Sequence, residues 1–223
     1  NVIDSEGDTR FVSAVGVATY GSVDLLPDWS VRFTPLADYF GPATFAYTVS
    51  DGQGGTVDVT ADITVQSVDD APTLDLDSSE GGTVDFSTTY RENDPAIDIV
   101  SAALSVFDPD SPMLDSATVV LTNASIGDVL AVGPLPLGMS FSASETFPIT
   151  AAGAVTVTIN GPASAADFEL AIAAVTYSSV SENPSEADRT IVVRVNDGTS
   201  DSPIAITRIA VEAVNDQPTS AGV

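Results

Sequence analysis

Apolar and polar residues alternate along much of this chain with a period of two, the pattern of extended strands whose successive side chains point to opposite faces. Phe45, Tyr47 and Val49 alternate with Thr44, Ala46, Thr48 and Ser50. After Asp51-Gly52-Gln53-Gly54-Gly55, Val57, Val59, Ala61, Ile63 and Val65 alternate with Asp58, Thr60, Asp62, Thr64 and Gln66. The two runs predict a long β-hairpin whose turn uses Asp and Gly at positions with φ > 0. Shorter strands are predicted over 9–16, 22–25 and 30–34, broken by Pro35 and Gly41-Pro42. Further on, strands are predicted at 83–86, 96–100, 104–107, 117–123, 128–132 and 155–160. Two more, 189–196 and 204–214, flank a second Asp-Gly turn at Asn196-Asp197-Gly198. One short helix is predicted from Ser164 to Ile172, with Ser164 as N-cap and Asp167 and Glu169 near its positive end. Its expected role is to close a core. The segment 133–148, rich in Gly, Pro and Ser, reads as a mobile loop. Many short strands and a single helix imply an all-β fold built of β-sandwiches.

The strand pattern ends twice in the same way. Val68-Asp69-Asp70-Ala71-Pro72-Thr73 and Val214-Asn215-Asp216-Gln217-Pro218-Thr219 both read Val-(Asp/Asn)-Asp-x-Pro-Thr, and 218 − 72 = 146 residues separate the two prolines. Proline cannot donate to a sheet ladder and biases its predecessor towards extended geometry, so each copy reads as a stiff, acidic linker. The expected division is 1–70, then a longer repeat at 71–217, with 218–223 opening a following repeat. The start at Asn1-Val2-Ile3-Asp4 looks like the middle of a repeat, so the first sandwich is expected to lack its opening strand. We read the sequence as a fragment of a longer polypeptide.

Composition narrows the function. The chain carries 32 acidic residues against six Lys plus Arg, all arginine, for a net charge of −26. That charge argues against nucleic acid and against anionic membrane surfaces. It leaves either an acidic surface suited to saline surroundings or specific sites for a hard cation. Asp outnumbers Glu by 24 to eight, which favours turns and calcium sites over a surface chosen for charge alone. Without Cys or His there is no disulfide, thiolate nucleophile, Ser-His-Asp triad or usual transition-metal ligand. Without Lys, Schiff-base chemistry and the phosphate-loop lysine are excluded as well. No run of about 18 apolar residues is present to span a membrane. Trp29 stands alone beside a turn; one isolated aromatic makes a poor cleft, so packing over the sandwich edge is preferred to sugar stacking.

Each repeat carries its acids in one order. The first has Asp4-Ser5-Glu6, Asp51-Gly52 in its last hairpin, then Asp69-Asp70-x-Pro72. The second has Asp108-Pro109-Asp110, Asp197-Gly198 in its last hairpin, then Asn215-Asp216-x-Pro218. In a sandwich with an odd number of strands, the last hairpin turn returns to the pole where the chain came in. Asp69 and Asp70 are therefore expected to meet Asp108, Asp110 and Asp197 where the two repeats join. Five carboxylates so close raise one another's pKa, and a divalent cation relieves this. Calcium, with about 6–8 oxygen ligands, suits such a set better than strictly octahedral magnesium.

The runs Val193-x-Val195-Asn196-Asp197-Gly198…Val214-Asn215-Asp216-Gln217-Pro218 and Tyr47-Thr48-Val49-Ser50-Asp51-Gly52…Val68-Asp69-Asp70-Ala71-Pro72 resemble the ends of cadherin repeats. The first repeat, through its run from Tyr39 to Gly52, resembles the tandem cadherin-like repeats of large bacterial RTX-type surface adhesins. The resemblance implies calcium held by an early Asp-x-Asp (Asp108, Asp110), a last-hairpin Asp (Asp197) and a linker Asp (Asp69 or Asp70). It implies that Glu92 serves the next junction with Asn215 and Asp216, and that Asp4, Glu6 and Asp51 line a half-site completed upstream.

The resulting expectation is a calcium-rigidified extender segment of a secreted bacterial cell-surface adhesin, joined to adjacent repeats of the same polypeptide. One alternative is a calcium-dependent module binding exopolysaccharide or a cell-surface glycan. Another is a strand-exchange subunit of an extracellular filament, in which a neighbouring chain's strand fills the open edge of the incomplete sandwich. A two-carboxylate glycosidase is disfavoured because the acids lie in turns and linkers rather than an aromatic-walled cleft.

Overall fold

The computed structural model describes residues 9–79, 81 and 83–216. The chain divides into two compact units, Asn1–Val68 and Asp69–Val223. Apart from one short helix, both are built of β-strands, as the alternation predicts.

In the first unit, β1 (Phe11–Ala18), β4 (Gly41–Ser50) and β5 (Thr56–Val65) form a sheet in the order β1-β4-β5. Between β1 and β4, β2 (Gly21–Leu25) and β3 (Val31–Pro35) pair as a two-stranded ribbon. The predicted long hairpin is β4–β5, antiparallel from Gly41↔Val65 to Ser50↔Thr56. At its turn Asp51 Oδ1 accepts the amides of Gln53 (2.7 Å) and Gly55 (2.9 Å), and Gly52 (φ 74°) supplies the left-handed residue. Aromatic contacts link ribbon and sheet, with Phe33 and Phe45 6.2 Å apart between ring centroids. Trp29, at the β2–β3 turn, lies tilted against Phe11 at 4.8 Å. Among the described residues of this unit, only Ala43 and Val49 are buried apolar side chains.

The second unit opens with β6 (Thr73–Asp75), β7 (Phe86–Arg91), β8 (Ile97–Asp98) and β9 (Ser105–Phe107). It continues with β10 (Leu114–Ala124), β11 (Asp128–Val132), β12 (Ser140–Ala143) and β13 (Gly153–Ala163). Helix α1 (Ala165–Ala173), β14 (Val175–Ser179), β15 (Arg189–Asn196) and β16 (Ala205–Glu212) complete it. A six-stranded sheet runs β12-β13-β10-β15-β16-β7, beside a three-stranded sheet β11-β14-β8 and the pair β6-β9. The β-branched inner positions Val119, Val155, Val157, Ile159, Ile191, Val193, Val195 and Ile209 of the large sheet are buried with Ile99, Leu130, Val175 and Tyr177 in one core. Ser164 caps α1, its Oγ accepting the amide of Asp167 at 3.2 Å, and Phe168, Ala171 and Ile172 face inwards. The helix thus plugs the core.

The two closing hairpins share one register. Phe45 faces Ala61 and Ile191 faces Thr207, and both 191 − 45 and 207 − 61 equal 146. On the far side of β16 the second unit adds β7 in parallel, from Phe86↔Thr207 to Arg91↔Glu212.

Three local expectations are corrected. The strand expected at 83–86 lies at Phe86–Arg91, because Asp85 turns its carboxylate onto the Ile206 amide (2.8 Å) and only then does Phe86, Thr88, Tyr90 alternate against β16. The segment 133–148, read as a loop, contains β12, which adds to the edge of β13. All four β12 residues are exposed, so no buried face marks them in the sequence. Strands β6 and β14 were not predicted; each offers too few apolar positions to show a period.

Candidate calcium site

Asp69 belongs to the second unit, where its Oδ2 accepts the Ser200 hydroxyl at 2.6 Å. Ser200 stands in the β15–β16 turn, built around Asp197, whose Oδ1 accepts the amides of Thr199 (2.6 Å) and Ser200 (2.7 Å). The linker acid and the hairpin acid are therefore bound to the same residue. Three residues past the exposed Asp70, the chain enters β6, where Thr73 pairs with Phe107 and donates its hydroxyl to the Phe107 carbonyl at 3.1 Å. The residue after Phe107 is Asp108. Its Oδ1 accepts the amides of Asp110 (3.0 Å) and Ser111 (2.6 Å), so Asp108-Pro109-Asp110 forms a second acid-centred turn beside the linker.

These turns leave carboxylate oxygens without partners. Asp108 Oδ2 and Asp197 Oδ2 are buried and make no hydrogen bond. Burial pushes the Asp108 carboxyl above its usual value, and the neighbouring Asp110 carboxylate adds to this, against the opposing pull of the Ser111 and Asp110 amides. A buried, unpaired carboxylate oxygen is costly in water-free surroundings and is relieved by a cation. The available donors are all hard oxygens, as calcium prefers. Among the described residues, however, no group of three or more acidic side chains converges on one point. Each carboxylate is turned onto its nearest amides instead, so carbonyl oxygens and water would have to complete an ion's shell.

Glu92 lies apart from this set, at the end of β7. It is 3% exposed, its Oε2 accepts the Val214 amide at 2.6 Å, and its Oε1 is buried without a partner. Asn215 and Asp216 follow Val214 and are exposed. Asp51 occupies the matching hairpin turn of the first unit. Asp4 and Glu6 lie outside the described residues. The structure thus joins Asp69 with Asp197 through Ser200 and Asp108 with Asp110, and it keeps Glu92 with Val214 as a separate acid.

Ser200 escaped sequence reasoning, although its place three residues after a turn aspartate is a usable signal. A second buried polar network left no local signal at all. Asp128, fully buried, accepts hydrogen bonds from Arg189 Nε (2.7 Å), the Tyr177 hydroxyl (2.8 Å) and the Ser125 amide (2.7 Å). Arg189 also donates to the Ala187 carbonyl. Burial raises the Tyr177 phenol, and the Asp128 carboxylate beside it adds to the shift. Burial draws the Arg189 guanidinium down, but its bond to Asp128 outweighs this and raises it. This ion pair satisfies its own oxygens and is structural.

Residues 1–66, most of the first unit, match the family described as a cadherin-like domain. Among solved structures, human CDH23 EC21-23 is similar at 12% identity and a TM-score of 0.44, over 91% of this chain and 57% of that one. The human desmocollin-1 ectodomain is similar at 12% identity and a TM-score of 0.36, over 98% of this chain and 37% of that one. The chain thus spans little more than half the length of the first and less of the second. No curated protein matches it. Among the described residues, no helix is long and apolar enough to cross a membrane.

Proposed function

We propose that this chain is a calcium-binding, calcium-stiffened extender segment of a secreted surface adhesin of the bacterial RTX type, linked to adjacent repeats. The observation that carries the reading is the pair of buried, unpartnered oxygens, Asp108 Oδ2 and Asp197 Oδ2, in two turns flanking the linker acid Asp69. The cadherin-like match of residues 1–66 and the recurrence of the hairpin and linker acids, Asp51 as Asp197 and Asp70 as Asp216, at a spacing of 146 residues support it. Asp69 with Asp197, and Asp108 with Asp110, would each supply part of an ion's shell, completed by carbonyl oxygens and water. Glu92 with Asp216, and Asp51 with Asp4 and Glu6, would serve the flanking junctions. A bound ion supplies positive charge that ties linker to turns; the chain's own contribution is to present hard oxygens on short, amide-braced side chains. Thermal unfolding in EDTA, in millimolar calcium and in millimolar magnesium tests the reading. A calcium-specific rise in Tm supports it, and equal Tm values in all three refute it.

A further inference from the structure

Asp69 is exposed, and among the described residues its side chain makes a single hydrogen bond, to the Ser200 hydroxyl at 2.6 Å, 131 residues further along the chain. The β15–β16 turn does not need that hydroxyl. Asp197 Oδ1 holds the Thr199 and Ser200 amides, and the Asp197 amide donates to the Ser200 carbonyl at 3.3 Å. The Asn196 side chain accepts the Gly198 amide at 2.7 Å and donates to Asp201 Oδ1 at 2.8 Å. Behind the turn, the Ser202 amide donates to the Val195 carbonyl (2.8 Å), and the Val195 amide donates to Ser202 Oγ (3.1 Å). The first unit closes a turn of the same kind with no hydroxyl at this place. There, 146 residues earlier, Asp51 stands for Asp197 and Gly54 for Ser200, and Asp51 Oδ1 still braces two amides. The Ser200 side chain is thus spare for folding the turn, and its one bond is spent on the linker acid.

We propose that Ser200 is a positioning residue for the ion: its hydroxyl fixes the Asp69 carboxylate beside the Asp197 turn before calcium arrives. The proposal rests on the calcium reading above and adds to it a neutral residue that sets the affinity. An exposed aspartate is free to swing into water, and its repulsion from a second carboxylate favours that escape. The Ser200 bond opposes it. At 2.6 Å the bond has the length of a charge-assisted O–H···O contact, the stronger kind. Ser200 also holds Asp197 through its own amide, so one residue brings both acids to a common place while Asp197 Oδ2 stays buried and unpartnered. An ion arriving there meets a linker acid already ordered. Ordering one side chain in advance is worth about two- to tenfold in Kd.

Calcium is titrated into the full chain and into four variants: Ser200→Ala, Ser200→Thr, Asp69→Ala, and Ser200→Ala combined with Asp69→Ala. The Kd of this site is read from the amide NMR shifts of Gly198 and Thr199. Ser200→Ala is expected to weaken binding by about two- to tenfold, and Ser200→Thr, which keeps the hydroxyl, to stay within about twofold of the wild type. In the Asp69→Ala background, Ser200→Ala should change nothing further, because the hydroxyl has lost the group it positions. A readout in EDTA needs no ion. There Ser200→Ala should keep the exchange protection of the Val195 and Ser202 amides, while the Asp69 amide gains fast motion in NMR relaxation. Equal Kd values for the wild type and Ser200→Ala, a Ser200→Ala effect that persists without Asp69, or unchanged Asp69 motion in EDTA would each overturn the proposal and leave calcium binding intact. A wild type whose Gly198 and Thr199 amides do not respond to calcium would instead overturn the calcium reading of this turn, and the proposal with it.

Discussion

Replacing Asp197 by asparagine should change the sign of its effect on stability when calcium is added. The asparagine carbonyl can still accept the Thr199 and Ser200 amides, so the turn keeps both of its braces. What disappears is the charge on a carboxylate whose other oxygen is buried without a partner. Such an unsatisfied group costs about 1–3 kcal/mol, and neutralising it should recover on the order of 1 kcal/mol. For a domain the size of the second unit, 1 kcal/mol shifts Tm by about 2–4 °C. In EDTA, Asp197→Asn is therefore expected to melt about 2–4 °C above the wild type. With calcium at about 100 times Kd, one site stabilises the wild type by about 2.7 kcal/mol, a rise of about 5–11 °C, and the variant should lose most of it. Asp197→Ala is the control. It removes both amide braces and should be destabilised in EDTA and in calcium alike. Differential scanning calorimetry across calcium concentrations gives all three curves. If Asp197→Asn lies below the wild type in EDTA by as much as it does in calcium, the unpaired oxygen carries no penalty and the argument for an ion there fails.

Other outcomes follow from the same structure. Glu92→Gln keeps an acceptor for the Val214 amide while removing the charge, so it should fold normally but lower the calcium stoichiometry measured by titration calorimetry. Asp128→Ala strands the Arg189 guanidinium in the core and should cost about 3–5 kcal/mol, seen as an earlier urea midpoint with little change in slope. Gly161→Ala would set a Cβ 2.7 Å from the Ala163 nitrogen and 2.8 Å from the Leu114 carbonyl, both backbone atoms. It should destabilise the β10–β13 pair by about 1–3 kcal/mol and speed amide exchange there; unchanged exchange would show that the strands part at no cost.

The alternation of small β-branched and polar residues was enough to mark β4, β5, β10, β13, β15 and β16, because each covers one face more than the other, fully in β10, β13, β15 and β16 and partly in β4 and β5. Helix α1 was legible for a similar reason: Ser164 and Asp167 cap it locally, within three residues. The Asp-Gly turns were legible because Gly52 (φ 74°) and Gly198 (φ 102°) adopt a conformation that few other residues tolerate. Where burial does not follow the period, the sequence was silent. Strand β12 is exposed on both faces, and β6 is only three residues long. Long-range partners were equally invisible: Asp128 and Arg189 are 61 residues apart, and Ser200 and Asp69 are 131 apart. The acid types and their repeated order are properties of the sequence alone. Which oxygens are braced by amides and which are buried unpaired depends on packing around each turn, and only the tertiary structure decided it.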